Sequence, residues 1–182
     1  DLLYYRTGAS PWTHPDVNWV DEIMKKQSSQ QQYNVNISGG TKTIRYFISG
    51  GFINQNGFYK NDNLTKYSRF NFRSNLDVDV TKDLTASLNI GSRVETLKSP
   101  TATIWSSWGV YRRAFGISGR DYPVYNPDGS YAGESGGSLE NGGNPVQALK
   151  DAATYKDVTS TLESSLMLSY KLDFITKGLS AK

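Results

Sequence analysis

The stretch Lys66-Tyr67-Ser68-Arg69-Phe70-Asn71-Phe72-Arg73-Ser74-Asn75-Leu76-Asp77-Val78-Asp79-Val80 alternates with a period of two. Phe70, Phe72, Leu76, Val78 and Val80 share one side, and Arg69, Asn71, Arg73, Asn75, Asp77 and Asp79 share the other. Side chains along a strand point to opposite faces in turn, so this is the pattern of one long β-strand with an apolar and a polar face. At about 3.3 Å per residue, roughly 15 residues extend to about 50 Å. Soluble strands average about 5–6 residues, whereas a tilted strand crosses a bilayer with about 9–11.

The pattern continues on both sides. After a tight turn at Thr81-Lys82-Asp83, residues 84–97 set Leu84, Ala86, Leu88, Ile90 and Val94 against Thr85, Ser87, Asn89, Arg93 and Glu95. Val80 and Leu84 must face the same way, which predicts a three-residue loop and pairs whose numbers add to 164, Arg69 opposite Glu95 among them. Upstream, Tyr33, Val35 and Ile37 are apolar in 31–39, and Ile44, Tyr46, Ile48 and Phe52 in 43–53. Downstream, residues 157–173 set Val158, Leu162, Leu166, Leu168, Tyr170 and Leu172 against Thr159, Thr161, Glu163, Ser165, Ser169 and Lys171. A new strand is expected at 179–182. The connections at 39–42, 81–83 and 174–178 are short, and those at 54–64 and 98–156 are long. Such alternation belongs to up-and-down barrels of the outer membrane, with short periplasmic turns and long extracellular loops.

Two segments lie outside the strands. Residues 1–30 read as loop and a helix over 19–26, with Asp16 or Asn18 as cap, Asp21 and Glu22 at its start and Lys25 and Lys26 at its end. In 98–156, Ile104, Trp108, Tyr111 and Phe115 fall at helical spacing, predicting a helix near 103–115 that packs through those four residues. Tyr125-Asn126-Pro127-Asp128-Gly129 is a turn signal, residues 135–143 are Gly/Ser/Asn-rich, and Asn144-Pro145-Val146 opens a short helix.

Composition narrows the function classes. The 182 residues are 37% hydrophobic, without the roughly 18-residue apolar run of a membrane helix. Scattered Lys and Arg and a net charge of +3 make no nucleic-acid surface. There is no cysteine and one histidine, His14, in a Pro-rich loop, so neither a catalytic triad nor a metal or cofactor site is expected. Asp77 and Asp79 read as structural carboxylates on the polar face. No signal peptide opens the chain, and its last residues read as a strand beginning, which suggests an internal piece of a longer protein. A soluble antiparallel sheet with one wet face gives the same alternation. That alternative would be an all-β carbohydrate-binding module, separable from a membrane wall by its independence of detergent.

Seven motifs in order resemble the early barrel of SusC/RagA-type TonB-linked outer-membrane proteins. They are Val17-Asn18-Trp19-Val20-Asp21-Glu22-Ile23; Gln30-Gln31-Gln32-Tyr33-Asn34 running into Ser38-Gly39-Gly40; Arg45-Tyr46-Phe47-Ile48-Ser49-Gly50-Gly51-Phe52; Tyr67 through Asp77; the Tyr125-to-Gly129 loop; Asn144-Pro145-Val146; and Leu172-Asp173-Phe174-Ile175-Thr176-Lys177-Gly178-Leu179. The resemblance covers nearly the whole chain. It implies an all-β antiparallel meander forming part of a large transmembrane barrel in the outer membrane of a Gram-negative bacterium. Residues 1–30 would end an extracellular loop, and 31–182 would be barrel wall with a long helix-bearing extracellular loop. It implies import of glycan oligomers or peptides, a SusD-like surface lipoprotein as partner, and energy from the TonB complex through a part of the protein outside this chain.

Two groups of candidate site residues follow. Trp105, Tyr122 and Tyr125, in the long loop among arginines, suit sugar faces or a partner. Arg69, Arg73, Asp77, Asp79, Arg93 and Glu95 fall on the polar side of their strands and are expected to face the lumen.

Overall fold

The structure, a computed structural model, describes residues 2–60, 65–101, 109–133 and 143–182. Its strands are β1 (Gln30–Gly40), β2 (Ile44–Asn56), β3 (Lys66–Asp79), β4 (Leu84–Pro100), β5 (Thr154–Lys171) and β6 (Ser180–Ala181). They form one six-stranded sheet in the order β1-β2-β3-β4-β5-β6. It is the antiparallel all-β meander that the alternation implies, open at β1 and β6.

Turn chemistry sets the register. Thr41 Oγ1 accepts from the amides of Thr43 and Ile44, both at 3.2 Å. Thr81 Oγ1 accepts from those of Asp83 at 3.3 Å and Leu84 at 3.0 Å. A threonine hydroxyl thus closes both three-residue turns in the same way. The β1–β2 ladder pairs Gly40 with Arg45 and Ile37 with Ile48. Asp79 N donates to Thr43 O at 2.8 Å, and Val80 N donates to Leu84 O at 2.8 Å. The second bond joins residues adding to 164, as the sequence predicts for that turn. Lys171 N donates to Asp83 O, and Thr101 N to Ala153 O, both at 2.8 Å. These two bonds join residues adding to 254, so one register serves both ends of β4–β5. In the last turn, Gly178 has φ +82°, a conformation that favours glycine, and its amide donates to Asp173 Oδ1 at 2.7 Å.

The chain divides into two compact units. One is the sheet, Gln30–Gln55, Tyr67–Leu97 and Asp157–Lys182; the other gathers Asp1–Ser29, Asn56–Lys66 and Lys98–Lys156. The sequence reading kept 98–156 with the wall and separated 1–30. The structure groups both instead, because the buried apolar residues of that unit come from the N-terminal segment and the long connections together. Its helices are α1 (Leu2–Thr7), α2 (Trp19–Ile23), α3 (Val110–Gly116) and α4 (Pro145–Lys150). Trp19, Ile23, Val110, Ala114, Tyr122, Ala132, Ala148 and Leu149 form its core.

Asn18 caps α2, its Oδ1 accepting from Asp21 N at 3.3 Å and its Nδ2 donating to Asp21 Oδ2 at 2.8 Å. The helix stops at Ile23, short of the expected Lys26. The backbone of the next residues is taken elsewhere: Met24 bridges Tyr59, Lys25 N donates to Phe58 O at 2.6 Å, and Lys60 N to Ile23 O at 2.7 Å. The expected helix at 103–115 is seen as α3; its predicted start lies outside the described residues. Its buried face is Val110, Arg113 and Ala114. Tyr111 and Phe115 are instead 50% and 62% exposed and pack edge-on against each other at 4.8 Å. They do not pack the helix onto its unit as their spacing suggests.

Candidate functional site: the polar face and the aromatic hairpin

On the sheet, the odd-numbered residues of β2 to β5 make the polar face. Near the short turns Asp79 is paired. Asp79 on β3 accepts from Arg45 on β2, at 3.1 Å in an ion pair, and from Thr85 Oγ1 on β4 at 3.0 Å. One carboxylate thus stitches three strands. Toward the other end, Glu95 Oε1 accepts from Tyr67 Oη at 2.6 Å and Glu95 Oε2 lies 3.3 Å from Arg93 Nε. The expected direct partnership of Arg69 with Glu95 is not what forms. The Tyr67 phenol donates to Glu95 instead, and Arg93, two residues along the same strand, takes the second oxygen.

Between these clusters the polar face holds a concavity of about 420 Å³, lined by Phe47, Asn71, Arg73, Gly91, Arg93, Thr161 and Glu163 among others. Gly91 opens it: a Cβ there would meet nothing nearer than Glu163, at 3.9 Å. The registers adding to 164 and 254 place Gly91 between Arg73 on β3 and Glu163 on β5, leaving a guanidinium and a carboxylate flanking a gap. Gly51 is the opposite case. A Cβ there would lie 2.6 Å from Asn71 Oδ1 and 2.8 Å from Asn34 Oδ1, so two amides close over the backbone and any larger residue must displace them. The concavity offers fixed donors and acceptors and one aromatic ring, which is equipment for holding a polar solute. Among the described residues no group of His, Cys, Asp and Glu is placed to hold a metal.

The second candidate lies in the connection unit. Tyr125 and Tyr131 bridge as a short hairpin around Asn126–Ser130, closed by Asn126 N to Ser130 O at 2.8 Å and by Gly129 at φ +82°. Their rings lie 5.1 Å apart, and Lys150 Nζ is 5.5 Å from the Tyr131 ring. Burial and the Tyr131 phenol push the Tyr125 phenol above its ordinary value; the same phenol holds the Lys150 ammonium up. Asn144 anchors the hairpin to α4. Its Oδ1 accepts from Val146 N and Gln147 N, and its Nδ2 donates to Val124 O and Ala132 O, both at 2.8 Å. Asn144 is 1% exposed, and all these bonds are internal.

The sequence candidates divide accordingly. Tyr125 is 46% exposed beside Tyr131. Tyr122 is 7% exposed, in the core, its ring 5.3 Å from that of Trp19. Trp105 lies outside the described residues. Arg73 and Arg93 share the concavity, Asp79 and Glu95 belong to the clusters at its ends, and Asp77 and Arg69 sit on the same alternation. Sequence reasoning missed Gly91 and Glu163, whose juxtaposition needs the β4–β5 register. It also missed Lys150, which no local pattern ties to Tyr131.

The other face is apolar and uncovered: Leu162, Leu166, Val35 and Phe70 are each at least half exposed, and no second layer packs on it among the described residues. Long antiparallel strands with a bare apolar face, a polar face and alternating connection lengths define an outer-membrane β-barrel wall. No helix of the described residues is long and apolar enough to cross a membrane. No protein-family profile matches the chain. TonB-dependent receptor P3 of Formosa agariphila is 33% identical over 131 residues, 69% of this chain and 13% of that protein. TonB-dependent receptor P26 of the same organism is 29% identical over 123 residues, 68% and 11%. The chain thus spans a small part of the curated relatives it matches. Among solved structures, the RagAB peptide transporter superposes on 93% of this chain and 20% of its own, with TM-score 0.55 and 16% identity. Its importer in the open-open state gives TM-score 0.53 at 15% identity, over 90% and 20%. The chain belongs to the TonB-dependent receptors, with the fold of their SusC/RagA-type members, a family of receptors and transporters and not of enzymes.

Proposed function

We propose that this chain forms part of the barrel wall of a TonB-dependent transporter in the outer membrane of a Gram-negative bacterium. The transporter imports oligomers of sugar or short peptides, takes a SusD-like surface lipoprotein as partner, and is driven by the TonB complex through parts of the protein outside this chain. The observation that carries the reading is the uncovered apolar face. In the registers above, one end of its densest part is the row Tyr33, Phe52, Phe70 and Val94, and the other is the row Val80, Leu84 and Tyr170. Ten steps of about 3.4 Å separate these rows, about 34 Å along the strand, or about 24–28 Å along the normal at a tilt of about 35–45°. That matches the apolar band of about 25 Å that an outer-membrane barrel presents to lipid. Burying side chains in lipid replaces burying them under a second protein layer.

The odd-numbered face is then the lumen. Arg69, Arg73, Asp77, Asp79, Arg93 and Glu95 border the passage, and the concavity beside Gly91 is a resting place for a polar solute. Tyr125 with Tyr131 offers an aromatic surface in a loop that reaches the extracellular side. The test is fractionation and uptake with the full-length receptor. It should sediment with the outer membrane, require detergent for extraction, and support growth on its oligomer. A protein recovered monodisperse from buffer without detergent would support the soluble carbohydrate-binding alternative instead.

A further inference from the structure

Each short turn of the sheet carries a lysine directly after a threonine: Thr41-Lys42, Thr81-Lys82 and Thr176-Lys177. The three turns lie at one end of the meander, and all belong to the sheet unit. The threonines hold the turns. The hydroxyls of Thr41 and Thr81 close the first two, and Thr176 O accepts from Leu179 N at 3.1 Å in the third. The lysines hold nothing. All three are exposed, and among the described residues no carboxylate pairs with any of them, Asp83 beside Lys82 included. Asp173, in the third turn, is taken by the Gly178 amide at 2.7 Å. Two residues from each lysine stands an exposed apolar side chain: Ile44 from Lys42, Val80 from Lys82 and Ile175 from Lys177.

Register sets the heights of these turns. The bond from Asp79 N to Thr43 O gives β2–β3 pairs whose numbers add to 122, so Lys42 lies level with Val80, two residues short of Lys82. Two residues make about 7 Å of strand, and one hairpin spans two strand spacings, about 9.6 Å. That step belongs to strands tilted by about 35°, within the tilt of outer-membrane barrels, and at that tilt the first two turns stand at one height along the membrane normal. The third steps in the same sense. Lys82 is level with Leu172 in the register adding to 254, and Leu172 N donates to Leu179 O at 2.9 Å to close that turn beyond it. Ammonium groups repeating along a rim, each beside an exposed apolar side chain, call for anions that repeat likewise and are joined to apolar chains. Lysine suits that boundary, its stem on apolar surface and its ammonium in the polar layer. We propose that Lys42, Lys82 and Lys177 each hold the headgroup of an anionic phospholipid in the leaflet on the short-turn side, whose acyl chains lie along Ile44, Val80 and Ile175. The proposal rests on the barrel-wall reading. It adds a row of lipid sites on the outside of the wall, distinct from the solute path on the inside.

The experiment uses the full-length receptor with benzoylphenylalanine in place of Phe174, an exposed residue of the third turn. It is reconstituted in vesicles of equal parts phosphatidylglycerol and phosphatidylcholine and irradiated, and mass spectrometry counts the adducts of each lipid. Phosphatidylglycerol adducts should outnumber those of phosphatidylcholine about fivefold. Lys177→Gln should bring the ratio to about one, and Lys177→Arg should keep it. The same label at Val80 should respond in this way to Lys82→Gln. A ratio near one in the parent, or a ratio that Lys177→Gln leaves unchanged, overturns the proposal, as does the absence of lipid adducts at Phe174. Replacing chloride by inorganic phosphate at equal ionic strength should leave the ratio as it was; a fall to one would assign the lysines to the free ion and overturn it too. In detergent without lipid, Lys82→Gln and Lys177→Gln should match the parent in heat-shifted mobility. A lower folded fraction there would make the lysines structural and overturn the proposal. Failure of the parent to fractionate with the outer membrane, scored separately, would count against the barrel reading.

Discussion

Asn144 carries more of the connection unit than its size suggests, because all four of its hydrogen bonds are internal and two of them hold carbonyls of other segments. Asn144→Ala leaves Val124 O and Ala132 O without their partner and removes the cap of α4. Orphaning buried groups costs about 1–3 kcal/mol and losing a cap about 1. The variant should lose hydrogen-exchange protection across α4 and the 124–132 hairpin while the strands keep theirs; unchanged protection in the hairpin would contradict this role. The two tyrosines separate by the same reasoning. Tyr122→Ala empties a core position beside Trp19, at about 3–5 kcal/mol by analogy with large aromatic truncations, and should unfold the connection unit. Tyr125→Ala should leave it folded and weaken uptake; uptake at the parent rate would remove Tyr125 as a solute or partner contact. Asp128 gives the hairpin a pH dependence. Its carboxylate accepts from the hydroxyl and amide of Ser130, which hold its pKa below the ordinary carboxylate value. A depressed pKa stabilises fully above the unfolded value of about 3.9, and that contribution is lost as pH falls through the folded value. Amide exchange at Ser130 should therefore speed up only below about pH 4, and Asp128→Asn should flatten the dependence.

At the scale of elements, two glycines, one on β2 and one on β4, should respond oppositely. Gly51→Ala drives a methyl into the Asn71 and Asn34 amides. Overpacking of this kind costs about 1–3 kcal/mol and should slow barrel assembly, read as the folded fraction by heat-shifted mobility. Gly91→Ala meets only Glu163, at ordinary contact distance, and should assemble normally, while Gly91→Gln fills the concavity and should lower uptake without loss of assembly. Normal uptake in a well-assembled Gly91→Gln would remove the concavity from the solute path. The strands were legible in the sequence because period-two alternation survives any tertiary context, and the Thr81 turn was legible because Val80 and Leu84 must share a face. What escaped was long-range. The end of α2 depends on backbone bonds joining Ile23 and Lys25 to the Phe58–Lys60 segment, which no local signal announces. Helix α3 carries an aromatic stripe, Tyr111 and Phe115, beside a smaller one, Val110 and Ala114, and spacing alone cannot say which is buried. The Arg73–Gly91–Glu163 row needs the β4–β5 register, hidden behind the connection between Pro100 and Thr154. The Arg69–Glu95 expectation counted charges across the ladder and omitted the Tyr67 hydroxyl beside them.

For the whole molecule, the claim on which the rest depends is that even-numbered residues of the middle strands face lipid and odd-numbered ones face water. The environment of each face distinguishes lipid from a protein layer. Spin labels placed one at a time at residues 86–91 of β4, in the full-length receptor reconstituted in bilayers, report that environment directly. Dissolved oxygen concentrates in lipid, and a charged nickel complex stays in water. The account predicts that labels at Ala86, Leu88 and Ile90 relax with oxygen, those at Ser87, Asn89 and Gly91 with nickel, and that the two profiles run in antiphase with a period of two. Profiles in phase, or nickel access at Leu88 equal to that at Asn89, would contradict the assignment of this chain to a membrane wall.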